Sequence, residues 1–342
     1  MNQKKKRFFK IGALAGCILL GAGILMSGAG YLAMGMSLNA FTHPRGGAAT
    51  PVTVCHPVDA IDAIEVHASI GNVTIQGSSS KIAQEVEIQA ADSVYQVYEQ
   101  NGILMVLPVD TNTATGQRDW KWFQLFNLYP EGDWDVVITV PEKLLSSVYV
   151  EAGLGNTTLT DLNAEKATVE SDSGNVKLEE VSASKEMTVT QSMGDVDLED
   201  CTGKDLTLEN DMGAVTVSGC DFGQSWVTNR SGNVTLTDST FDSLTAETDM
   251  GDCTLNQVDV NGPVECTTSM GNVELDVLSS LDITLSADSG NITGTIQGSW
   301  EEYQISADTD AGDCNLRDQV TDGPGRLLVT TGMGDINLKF TS

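Results

Sequence analysis

Residues 187–199 (MTVTQSMGDVDLE), 206–218 (LTLENDMGAVTVS) and 225–237 (SWVTNRSGNVTLT) fall into register when aligned on Gly194, Gly213 and Gly232. The motif recurs on Gly174, Gly251 and Gly271, with weaker copies on Gly155, Gly290, Gly312 and Gly334. Successive glycines lie 19, 20, 19, 19, 19, 20, 19, 22 and 22 residues apart. A period near 20 held over so many copies is the signature of a stacked solenoid.

Outward from the glycine the residues sort into columns. Two positions after it stand Val176, Val196, Val215, Val234, Cys253 and Val273; two further on stand Leu178, Leu198, Val217, Leu236, Leu255 and Leu275. Five positions before it come Val169, Val189, Leu208, Val227 and Cys266. Thr, Asp, Glu, Asn and Ser fill the places between. This period-two alternation predicts two short strands per repeat, each with one buried face. Helix is disfavoured by the β-branched content and by a glycine in every period. An antiparallel meander would share the alternation, but like residues recurring at a fixed interval fit parallel coils laid on one another. At about 4.8 Å per coil, ten coils would extend roughly 45–50 Å. The expected fold is an all-β solenoid of about ten coils of 19–22 residues over 143–342, with an N-terminal β capping region over 59–142 and one transmembrane helix before it. The glycine is expected to supply the backbone angle of a bend. The Asn or Asp after it, as at Asn175, Asp195 and Asn233, suits the same turn. The methionines before it, such as Met193, Met212 and Met250, are expected to pack at the corner, the alternative being an exposed row suited to adaptable binding.

The chain of 342 residues has 18 basic and 48 acidic side chains, a formal charge of −30. Five of the basic residues lie in the first ten, so the remainder carries −35. Such a surface repels phosphates, which excludes nucleic acid as a partner. From Ile11 to Phe41 there is no charge, longer than the roughly 20 residues that span a bilayer. The preceding KKKRFFK run (4–10) is expected to stay cytoplasmic. The reading is a basic cytoplasmic segment (1–10), a signal-anchor helix in the lipid bilayer (11–38), a linker (39–58) and an extracellular C-terminal domain, hence a single-pass cell-membrane protein. A signal peptide cleaved near Ser27-Gly28-Ala29 and a lipoprotein box at Leu14-Ala15-Gly16-Cys17 are the rivals; the apolar run is too long for the first and wrongly placed for the second.

Within 59–142, IEVHASIGNVTI (64–75) and three other apolar runs read as longer strands covering the open start of the solenoid. The aromatic stretch 119–134 reads as a capping loop, or as a docking loop offering Trp120, Trp122, Phe123 and Phe126 to a partner or the bilayer. Glycine-punctuated short strands, the VVITVPEKLLSSVYVEAGLGNTTL segment (136–159) and the N-terminal apolar helix together resemble the bacterial putative-adhesin family of β-strand-repeat domains. The resemblance covers about 59–342 and implies a Gram-positive envelope protein. The family has no defined catalytic motif, so no functional residue carries over.

Chemistry is sparse. His43, His56 and His67 are the only histidines and none lies in the repeat, which rules out histidine-based nucleophilic catalysis there. Cys253, Cys266 and Cys314 sit in core columns, and Cys201 and Cys220, seven residues after neighbouring glycines, are disulfide candidates. Acids crowd at Asp288, Asp310, Asp313 and Asp335, the candidate ligands for Ca²⁺, the one cofactor considered. The function expected is non-enzymatic: an anchored surface module binding an envelope or host-surface partner. The alternatives are a self-associating envelope scaffold or stress-response module and, less favoured, a carboxylate-based polysaccharide-active enzyme.

Overall fold

The structure is a computed structural model describing residues 50–78, 84–109 and 133–341. The chain divides into two units, of which Met1–Ala48 with Asn112–Gly132 lies outside those residues; the other is Ala49–Thr111 with Asp133–Ser342. The anchor segment 11–38 and the aromatics Trp120, Trp122, Phe123 and Phe126 therefore fall outside the described residues. Among the described residues no helix is long and apolar enough to cross a membrane.

Alternation becomes coils as the columns require. In the Gly194 coil the two strands are Val196–Glu199 and Thr202–Asn210. They pair in parallel with Val215–Ser218 and Asp221–Ser231 of the next coil, Val196 opposite Val215 and Leu208 opposite Val227. The columns named above are buried along the stack. A further inward column, nine residues after the glycine, holds Ala164, Ala183, Phe222, Phe241 and Val260. Phe222 lies opposite Phe241, and Gly203 makes room beneath, since a Cβ there would stand 2.9 Å from Phe222 Cε1.

Each coil turns at its glycine and again six residues later. The second corner is left-handed at Asp161, Glu180, Asp200, Asp238, Gln257 and Val277, with φ between 49° and 63°. Asp tolerates that conformation better than most residues, whereas Val277 occupies it at a cost.

The glycine corner is tied by two hydrogen-bond ladders. On the outside, each Asn or Asp after the glycine accepts, through Oδ1, the backbone N–H of its counterpart one coil on: Asn175 donates to Asn156 at 2.8 Å, Asp252 to Asn233 at 3.0 Å and Asn272 to Asp252 at 2.7 Å. On the inside, in several coils the residue three before the glycine donates to the preceding coil's glycine carbonyl: Asn229 Nδ2 to Gly213 O, and Thr248 Oγ1 to Gly232 O, both at 2.9 Å. Buried backbone acceptors must find donors, and this inward polar column supplies them.

Two departures from sequence order stand out. The 64–75 stretch does not cap the stack; it is a coil of it. Ala63–Ile70 pairs in parallel with Leu144–Leu154, and Val73–Ser78 with the start of Thr157–Ser173. Ile103–Pro108 and Val136–Pro141 add one more layer on its other side. Antiparallel strands then finish this end: Tyr95–Gln100 on Ile103–Pro108, and Pro51–Pro57 on Glu85–Ala91. At the other end the last two coils are exchanged. Gly325–Met333 lies between Asp282–Ser289 and Tyr303–Ala311, so the spatial order is Gly290, Gly334, Gly312.

Candidate functional site

The longer strand of each coil points alternate residues outward, at six, four and two positions before the glycine. Across successive coils these make three parallel rows. The first reads Thr168, Thr188, Thr207, Trp226, Thr245; the third reads Asp172, Ser192, Asp211, Arg230, Asp249. Trp226 and Arg230 both interrupt their rows, and both lie on the strand Asp221–Ser231. Trp226 is 44% exposed. Next to it along the same outward face lies a shallow hollow of about 280 Å³, lined by Glu209, Asp211, Thr228, Arg230, Glu247 and Asp249 among others. Arg230 Nη1 meets Asp211 Oδ1 at 2.7 Å. Gln191, Asn210 and Asn229 also line the hollow, and their side-chain oxygens are buried without a hydrogen-bond partner.

A second polar cluster lies on the same face near the other end. His67 is held between carboxylates, Nδ1 to Glu151 Oε2 at 2.6 Å and Nε2 to Glu65 Oε1 at 2.7 Å. Partial burial works against the imidazolium, but the two carboxylates outweigh it and raise the pKa above its ordinary value. Tyr149, with its ring centroid 5.5 Å from that of His67, is pushed up to about 12 by burial and by Glu170 and Glu151.

The acids proposed for calcium are dispersed by the exchange of coils. Asp288 and Asp310 occupy one row, but the coil between them places Gly332 there, as the pairings of Ala287 with Thr331 and Thr309 with Thr331 require. Asp335 Oδ1 is engaged by the backbone N–H of Asp313 at 2.8 Å. Among the described residues no three His, Cys, Asp or Glu side chains gather as a metal site. Cys201 and Cys220 are buried free thiols instead of a disulfide. Cys201 Sγ lies 3.4 Å from Glu199 O and Cys220 Sγ 3.3 Å from Ser218 O. The hydrogen bond between the two thiols and their burial push Cys220 far up. Cys253 and Cys266 are fully buried as expected. The methionines are not packed at the corner but form the exposed row of the alternative reading: Met193, Met212, Met250, Met270 and Met333 are 47 to 62% exposed.

Sequence columns had located every outward row without marking one coil as different. The signal was present in Trp226 and Arg230, which differ in kind from the residues aligned with them in the adjacent coils, Thr207 and Thr245 beside the first and Asp211 and Asp249 beside the second.

These coils and ladders define a parallel β-solenoid with an ordered, acid-rich outer face. The chain belongs to the Toastrack DUF4097 family, whose profile matches residues 61–339. Similar crystal structures include a putative adhesin from Bacteroides fragilis NCTC 9343, with 13% identity over 84% of this chain and 97% of that one and a TM-score of 0.31. Others are a putative cell adhesion protein from Clostridium sporogenes ATCC 15579 (12%, 85% and 100%, TM-score 0.20) and a putative adhesin from Parabacteroides merdae ATCC 43184 (12%, 86% and 98%, TM-score 0.30). No curated protein matches the chain.

Proposed function

We propose that the chain is a non-enzymatic binding module of the cell envelope, anchored through residues 11–38 and displaying the outward sheet face to a surface partner. One observation carries this reading. Stacking alone asks nothing of outward positions except solubility, yet the strand Asp221–Ser231 replaces a threonine with Trp226 and an acid with Arg230. Tryptophan and arginine are the residue types that most often anchor binding surfaces, and here they stand on one outward face beside a polar hollow.

The test is a pull-down of the full chain, purified in detergent, with cell-envelope fractions in calcium and in chelator. Saturable retention in either condition supports a binding module. Absence of retention, with multimers by light scattering, favours the self-associating scaffold. Release of soluble sugar fragments would overturn the non-enzymatic assignment.

A further inference from the structure

The chemistry of the hollow limits what can occupy it. Glu209, Glu247 and Asp249 surround it, and the whole chain carries −30, so an anionic ligand is repelled. Arg230 lies among the lining residues and already engages Asp211, which works against a cationic peptide. What remains is an uncharged ligand rich in both donors and acceptors. Carboxylates accept hydrogen bonds from hydroxyl groups, the guanidinium donates to ring and hydroxyl oxygens, and Thr228 does either. Trp226 adds a flat apolar platform one outward position away, about 7 Å along the strand from Thr228. At about 280 Å³ the hollow falls just below the range of ligand pockets, which begins at about 300 Å³, and suits a single ring.

We propose that this coil is a glycan-binding subsite: a neutral sugar ring stacks on Trp226, and the next ring of the same oligosaccharide hydrogen-bonds in the hollow to Glu209, Glu247 and Arg230. The proposal rests on the binding-module reading and names its ligand class.

The experiment is titration of the full chain in detergent against maltohexaose, cellohexaose, mannohexaose and chitohexaose, with polylysine and polygalacturonate as charged controls. Envelope pull-down is run in parallel. The expected result is saturable binding of at least one neutral oligosaccharide and neither charged polymer. Trp226→Ala and Arg230→Ser should each weaken it at least tenfold, while Trp226→Phe retains part. Trp300→Ala, an exposed tryptophan on another segment, should leave affinity unchanged. Equal melting temperatures of these variants establish that they are folded. Envelope retention without oligosaccharide binding overturns the glycan proposal and leaves the binding-module reading intact, as does oligosaccharide binding indifferent to Trp226 and Arg230. Preference for polylysine at the same residues also overturns it. No retention and no sugar binding removes both.

Discussion

At Gly232 two separate constraints coincide. Its φ of 136° is one that L side chains resist, and a Cβ would stand 2.0 Å from the carbonyl oxygen of Gly213 in the coil below. Removing either constraint would leave the other. Gly232→Ala should therefore cost more than about 3 kcal/mol in urea unfolding, well beyond an ordinary surface substitution. The outer ladder offers the opposite experiment. It is interrupted at Ala214, which accepts no bond from Asn233 although its own N–H donates to Asp195 Oδ1 at 2.8 Å. Ala214→Asn should restore the missing bond and stabilise by about 0.5–1.5 kcal/mol, measured by the same unfolding curve. The glycine and its Asn were legible in the sequence as turn formers. Their stacking role was not, because turn propensity is local and the bonds cross between coils. The inward polar column was harder still. Gln191, Asn229 and Thr248 differ in residue type and look like solvated positions until the Gly carbonyls they face are known.

At the scale of elements, the columns around the glycine translated directly into strands, since apolar alternation has one stable solution in a parallel stack. The second corner did not, because Asp, Glu, Gln and Val all occupy it and only Gly219 hints at a left-handed residue. The His67 cluster joins two elements, with Glu65 on one strand and Glu151 on the next. Because the folded pKa is raised above 6.5, the imidazolium contributes stability that is complete below that value and fades as pH rises through the folded pKa. The melting-temperature difference between wild type and His67→Gln should accordingly be largest below about pH 6.5 and shrink in alkaline buffer. The thiols are equally checkable. Alkylation followed by peptide mapping should label Cys55, which is exposed, in the native protein. Cys201, Cys220, Cys253 and Cys266 should react only after unfolding in the absence of reductant; a pair still unlabelled then would mean a disulfide.

Over the whole described unit, the period revealed the architecture and concealed the order of its parts. The cap-like 64–75 stretch carries its own Gly71 and Asn72, and Asn72 N–H donates to Asp135 Oδ1 at 2.8 Å as a true rung. Its neighbour in space, the Gly155 coil, lies 84 residues away, too far for any period to register. At the other end the lengthened spacing of 22 and the Gly323-Pro324-Gly325 break mark where the chain skips a coil. The resulting end strand, Tyr303–Ala311, is poorly suited to pairing with another molecule: Asp308 and Asp310 are exposed on it, and Gln319 and Asp318 occupy part of its free edge. The exchange makes a sharp prediction. Deleting residues 325–342 should remove two coils' worth of order, because Tyr303–Ala311 loses the strand it pairs with. Limited proteolysis should then cut within 303–316, and protection of that segment in the truncated protein would contradict the topology.

The exchanged coils also bear on mechanics. A pulling force on Gly325–Met333 does not act on the outermost layer of the stack. Gly325–Met333 is clasped between Asp282–Ser289 and Tyr303–Ala311, so it can leave only by shearing two ladders together instead of peeling one. That strand is thus the bolt that locks this end of the stack against fraying.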